Sequence, residues 1–204
     1  KTKVTVEKAV EAFNAKPSPQ ALADATRSND PEQSAAFLRD SSSRLSPGAI
    51  GELLGSPDAE SMAIMRAYVH GFDFTSLTID DALRVFLGGF KLPGEAQKID
   101  RLMEAFAARF CACNHDVFPS TDAAYILAFA IVMLNTDAHN PLTDAALKMS
   151  EQDFVIMATA AEATNELDAD AVAGIYARVV ASEIKMHAAE PTTSANNKSS
   201  ASKP

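Results

Sequence analysis

The chain has 204 residues, 47% of them hydrophobic, enough for one sizeable core, and a formal charge of −9. With that sign and no run of Lys or Arg to overcome it, nucleic acid and anionic lipid headgroups are excluded as natural direct partners. The two cysteines, Cys111 and Cys113, lie too close on one predicted helix for an ordinary disulfide, so a cytosolic setting fits.

The longest apolar run, residues 123–134, is well short of the roughly 18 residues that span a bilayer. The chain starts with Lys and ends in Ser, Thr, Asn, Lys and Pro, which reads as a piece of a longer protein. We therefore expect one folded domain over residues 1–187 and a disordered polar tail over 188–204.

Helical periodicity runs through nearly the whole chain, without the alternation expected of strands. The fold class predicted is all-α, with helices over 3–16, 19–28, 31–40, 47–54, 58–70, 78–90, 95–113, 120–136, 150–161 and 168–187. Start signals support several of them. Asp30-Pro31, Ser46-Pro47 and Ser56-Pro57 put a capping side chain before a proline suited to a first turn. Ser150 with Asp153 resembles a capping box. Ten short helices suggest a stacked superhelix more than a four-helix bundle.

Between the sixth and seventh predicted helices, Pro93 and Gly94 break the helical path, and Glu95 emerges at the start of the next helix. An acid there complements the helix macrodipole, a common role. The sharper alternative is a single carboxylate held out on a rigid turn, where it can compete for the ligands of a phosphate or a metal ion. A lone Glu lacks the second carboxylate, His or metal cluster of hydrolytic chemistry, and residue chemistry leaves both readings open.

The helix over 120–136 is apolar on two faces. Tyr125, Phe129 and Met133, with Ile126, form one stripe; Leu127, Ala130, Ile131 and Leu134 form another on the opposite side. One stripe suffices for a core, so this is either a helix buried all round or one that presents an aromatic and methionine recognition surface. After it the chain turns polar, and Pro141 disfavours helix at Asn140. Asp137 and His139 make an incomplete metal site at an unrecognised spacing. Cys111, Cys113 and His115 lack a second cysteine pair to complete a zinc set.

The run Leu92-Pro93-Gly94-Glu95-Ala96-Gln97-Lys98-Ile99-Asp100-Arg101 and the later run Met133-Leu134-Asn135-Thr136-Asp137-Ala138-His139-Asn140-Pro141 together resemble the two signature motifs of the Sec-seven domain. The resemblance extends from about Val4 to Met186. It implies a right-handed superhelix of about ten helices with a hydrophobic groove that grips the switch regions of an Arf-type small GTPase. It also implies that the domain is a guanine-nucleotide exchange factor, which catalyses exchange without covalent chemistry. Glu95 aligns with the family's glutamic finger. Tyr125, Ile126, Phe129 and Met133 look like groove positions, with Asp122 and Asn140 as polar contacts. Lys91, Leu92, Pro93, Gly94, Gln97 and Asp100 supply further GTPase contacts.

No cofactor or metal of its own is implied, since Mg²⁺ and guanine nucleotide belong to the GTPase. Membrane association is expected only indirectly, through the GTPase or absent flanking domains, with recruitment from the cytoplasm to Golgi or endosomal membranes. There are departures from the family pattern. Gly88-Gly89 replaces bulkier or polar residues, which predicts a looser groove wall; Ala138 stands where leucine is usual, and Lys91 where arginine is frequent. Phe129-Ala130 looks like the pair of brefeldin-resistant members. Two competing readings are a non-catalytic adaptor that uses the groove for binding alone, and a metal-dependent hydrolase around Asp137 and His139.

Overall fold

A computed structural model describes residues 6–41 and 44–185. Ten α-helices occur among the described residues, with no strand among them. They are α1 (Val6–Ala15), α2 (Pro19–Thr26), α3 (Pro31–Asp40), α4 (Pro47–Leu54), α5 (Ala59–His70), α6 (Ile79–Leu87), α7 (Ala96–Cys113), α8 (Thr121–His139), α9 (Glu151–Thr159) and α10 (Ala169–Ala181). A short 3₁₀ turn, Ala145–Leu147, precedes α9. The expected tail over 188–204 lies outside the described residues.

The starts follow the capping chemistry. Ser18, Asp30 and Ser46 each accept from a first-turn amide ahead of a proline, and Ser150 with Asp153 closes a reciprocal capping box. Ser56 behaves differently from expectation. The helix starts later, capped by Asp58, whose Oδ1 accepts from Ser61 N at 2.9 Å, while Ser56 Oγ donates to Asp58 Oδ2 at 2.7 Å.

Some ends also shift. α2 stops where Arg27 turns left-handed at φ 58°. α6 stops at Leu87, because Gly88 takes its cap and residues 88–95 form a loop. α8 continues to His139, a turn beyond the predicted end, because Pro141 constrains Asn140 and not the residues before it. α10 ends at Ala181, where Ser182 becomes extended.

The helices stack largely in chain order. α1 packs on α2, α3 on α5, α4 on α5 and α7, and α7 along α8; α8 then meets α6, α9 and α10. Three arginines tie successive layers by donating to carbonyls at helix C-termini, where the macrodipole is negative. Arg39 reaches Ala67 O and Tyr68 O on α5, Arg101 reaches Gly55 O after α4, and Arg109 reaches Phe72 O.

The centre of the domain is aromatic. Phe86 meets Phe90 edge-on at 5.2 Å, Phe106 stacked at 5.3 Å and Phe72 edge-on at 5.8 Å, and Phe74 contacts Phe106 at 5.4 Å. Phe74, Phe86, Phe90 and Phe106 are completely buried. Each such side chain contributes about 1.5–3 kcal/mol of burial, and each well-oriented pair about 0.5–1.5 kcal/mol more. Phe90 anchors the base of the loop between α6 and α7 in this cluster.

Candidate functional site

That loop is held from below by α4. Lys91 N donates to Pro47 O at 3.0 Å, and the backbone of Lys91 lies directly over Gly51, where an added Cβ would sit 1.8 Å from the Lys91 carbonyl oxygen. Gly55, one turn later, accommodates the stem of Lys98 in the same way. Gly89 is constrained too, though by a side chain, because a Cβ there would fall 2.5 Å from the Tyr68 hydroxyl. The Gly88-Gly89 pair therefore does not loosen this wall as expected. Gly89 permits a close approach to the aromatic core.

From this base the loop rises into solvent. Lys91 and Leu92 are half-buried, Pro93 is buried, and Gly94, Glu95 and Gln97 are exposed. Glu95 is the N-cap residue of α7 with extended backbone, and its carbonyl accepts from Lys98 N and Ile99 N. Its carboxylate caps no amide. Instead Oε1 pairs with Lys98 Nζ at 2.8 Å, and the side chain remains 71% exposed. Lys98 also holds Glu52 Oε2 of α4 at 2.5 Å. The Glu52 hydrogen bond and then that of Glu95 raise the Lys98 pKa above the usual lysine range.

Further along α7, Asp100 accepts a short hydrogen bond from the Tyr125 hydroxyl of α8. Burial, then the hydrogen bond and charge of Asp100, with a smaller push from Glu104, move the Tyr125 phenol up to about 12. The phenol thus stays a donor, and the finger-bearing helix is joined to the apolar stripe at a defined point. The Tyr125 ring packs edge-on against Phe129 at 5.1 Å. Asp100, Glu104, Asp122, Tyr125 and Ile126 line a depression of about 500 Å³ at this end of the stripe.

The two faces of α8 separate cleanly. Leu127, Ala130, Ile131 and Leu134 are buried, whereas Tyr125, Ile126 and Phe129 are half-buried and Met133 is 53% exposed. The helix is not buried all round. Asp122 is exposed in its first turn. Asn140 lies fifteen residues beyond Tyr125, about 22 Å along the axis at 1.5 Å per residue. Its Oδ1 accepts from Leu142 N at 2.9 Å and shapes the turn after the helix.

The polar motif that ends α8 is largely structural. Asp137 Oδ2 accepts from Met149 N at 2.7 Å, and Lys148 Nζ donates to Ala138 O at 2.5 Å. His139 Nε2 contacts Val179 O at 2.8 Å. Asn135, 2% exposed, exchanges two hydrogen bonds with the backbone of Ile184 and pins the segment after α10. Asp137 and His139 thus serve separate contacts, and no cluster of three metal-ligating side chains occurs among the described residues. Cys111 and Cys113 are free and partly buried, and burial pushes the Cys111 thiol up.

Sequence reasoning overlooked Glu52 and the glycines of α4. The spacing of Gly51 in α4 and Gly55 at its C-cap, one turn apart, was the available signal of a close approach. It also missed Leu142 and Leu147, which are 92% and 78% exposed beyond Asn140.

Comparison with known proteins agrees with this architecture. The Sec7 domain family profile matches residues 2–184. Brefeldin A-inhibited guanine nucleotide-exchange protein 2 of Arabidopsis thaliana is 44% identical over 187 residues, which cover 90% of this chain and 10% of the relative. Cytohesin-2 of Homo sapiens is 52% identical over 113 residues, covering 55% of this chain and 28% of that protein. The chain thus spans about a tenth of the length of the Arabidopsis relative. Among solved structures, the Sec7p catalytic domain superposes with a TM-score of 0.80 at 36% identity, covering 90% of this chain and 97% of that one. The Sec7 domain of a complex with ARF1-GDP and brefeldin A matches with a TM-score of 0.77 at 32% identity over 89% of this chain and 92% of that one. With a stacked all-helical fold, both signature runs in place and the family profile matched along nearly all of the described chain, this protein belongs to the Sec7 domain family.

Proposed function

We propose that this domain is a guanine-nucleotide exchange factor that grips an Arf-type small GTPase and drives out its GDP with Glu95. The observation that carries the proposal is the pairing of an outward carboxylate on a braced loop with an uncovered apolar stripe on the adjoining helix system. The stripe of Tyr125, Ile126, Phe129 and Met133 supplies binding energy to the switch regions, as aromatic and methionine anchors do at other interfaces. Asp122 and Asn140 give polar contacts at its two ends. Lys91, Leu92, Pro93, Gly94, Gln97 and Asp100 line the approach of the finger. A relative named for nucleotide exchange and a neighbour solved with ARF1-GDP support the same partner class.

The GTPase holds GDP through Mg²⁺ and a phosphate-loop lysine, so those groups belong to the partner. A carboxylate brought beside the β-phosphate repels it and offers the lysine another ligand. Two unit charges about 4 Å apart interact by ~4 kcal/mol at an intermediate effective dielectric, so one acid competes seriously. By linkage, a domain that prefers the nucleotide-free GTPase weakens nucleotide binding by the same factor that nucleotide weakens the domain's binding. Exchange needs no covalent step and no cofactor of the domain's own. We place this action at Golgi or endosomal membranes, to which a longer parent protein is recruited from the cytoplasm.

The test is release of labelled GDP from Arf GTPases. The domain should accelerate it, and Glu95→Lys should nearly abolish the acceleration while leaving the helical fold intact. Failure with every Arf paralogue would refute the proposal. Complex formation without exchange, unchanged in Glu95→Ala, would identify a binding adaptor instead.

A further inference from the structure

Glu95 does not stand alone at rest. Its carboxylate shares the Lys98 ammonium with Glu52, at 2.8 Å and 2.5 Å respectively. The three groups differ in freedom: Lys98 is 14% exposed, Glu52 46% and Glu95 71%. The base of the Lys98 stem lies against Gly55 at the end of α4. Glu52 belongs to α4 as well, whereas Glu95 stands at the end of the loop. The loop carboxylate is therefore the partner able to leave.

Resting on the exchange function proposed for Glu95, we propose that Glu52 is a positioning residue that retains Lys98 when Glu95 turns to the GTPase. Without a second carboxylate, departure of Glu95 would leave the Lys98 ammonium with no carboxylate partner, and the attraction of Lys98 would hold the finger back. With Glu52 in place the ammonium keeps a charge-assisted hydrogen bond throughout, and the finger is released at little cost. Two carboxylates sharing one cation also leave the cluster with a net negative charge, which Glu95 carries toward the partner lysine.

The test measures single-turnover release of labelled GDP at rising domain concentration, with melting curves to establish that each variant is folded. Glu52→Gln should lower the plateau rate about fivefold, the scale of losing one partly exposed ion pair, with the half-saturating concentration unchanged. In a Lys98→Met background the same Glu52 change should have no further effect. A wild-type plateau for Glu52→Gln, or an equal loss in the Lys98→Met background, would overturn the proposal. An activity-free readout separates it from the exchange function. In Glu95→Gln the Lys98 ammonium protons should stay slowly exchanging by NMR, and adding Glu52→Gln should remove that protection. Protection lost in Glu95→Gln alone refutes the role of Glu52 whatever the exchange assay gives. Protection retained in Glu95→Gln, together with a wild-type domain that moves no nucleotide, refutes the exchange function instead.

Discussion

Gly51 lies beneath the Lys91 carbonyl so closely that a methyl group on its Cα would stand 1.8 Å from the oxygen. In an isolated helix, alanine would stabilise that position by about 1 kcal/mol over glycine. Here the obstacle is backbone, which has no rotamer in which to yield. Gly51→Ala should therefore lose about 1–3 kcal/mol in a denaturant melt, the usual range for overpacking. It should also displace residues 90–95. Faster hydrogen exchange at the Lys91 amide, now bonded to Pro47 O at 3.0 Å, would report that displacement. GDP release should fall at least about tenfold, since a misplacement of an ångström is expensive at a reacting centre.

The two faces of α8 should respond oppositely to truncation. Met133 is 53% exposed, so Met133→Ala should leave the melting temperature within a few degrees of the wild type. On the proposed function it should weaken GTPase binding about 5- to 30-fold, measured by titration of nucleotide-free GTPase. Ile131 is completely buried two residues earlier. Ile131→Ala should lose about 2–5 kcal/mol of stability, with binding per folded molecule little changed.

Those two faces also mark how far residue types alone reach. Intervals of three and four placed two apolar stripes on α8, but periodicity cannot say which stripe lacks a neighbour, because that depends on where α7, α9 and α10 pack. The caps at Asp30, Ser46 and Ser150 were legible, since they rest on local hydrogen bonds. Asp58 takes the cap expected of Ser56, whose hydroxyl donates to it instead. Glu95 was legible as a helix start carrying an acid, whereas its partnership with Glu52 joins residues more than forty positions apart and leaves no local trace. Asn135 is similar. It sits within a recognisable polar motif, yet its observed work is to bind the backbone of Ile184 forty-nine residues on.

Asn135→Ala should accordingly act on the end of the fold. It removes a buried donor and acceptor from a reciprocal pair and leaves the Ile184 N–H and C=O without those partners. A loss of about 1–3 kcal/mol is expected for orphaning such groups. Hydrogen exchange should accelerate first at Ile184, with the amides of α7 protected as before. Uniform acceleration across the domain would show that the segment after α10 is not locally anchored by Asn135.

Asp80 and Arg178 join α6 to α10 through two hydrogen bonds of 2.8 and 2.9 Å, and the Asp80 side chain is wholly buried. Burial pushes the carboxyl upward, but hydrogen bonds from Arg178 and Thr78, with the Arg178 charge, outweigh it and hold the pKa below the usual aspartate value. A depressed folded pKa means that this pair contributes fully above the unfolded value of about 3.9, and that its contribution disappears as pH falls through the folded value. Arg178→Met removes the cation and strands the buried carboxylate. Because the Arg178 side chain is itself 46% exposed, the loss at neutral pH should be about 2 kcal/mol, below the range for fully buried pairs. Protonation of Asp80 relieves the variant, so the gap between urea melts of the two proteins should narrow as pH drops to the unfolded value of about 3.9. A stability gap that stays constant from pH 7 to that point would assign the effect of Arg178 to packing of its aliphatic stem.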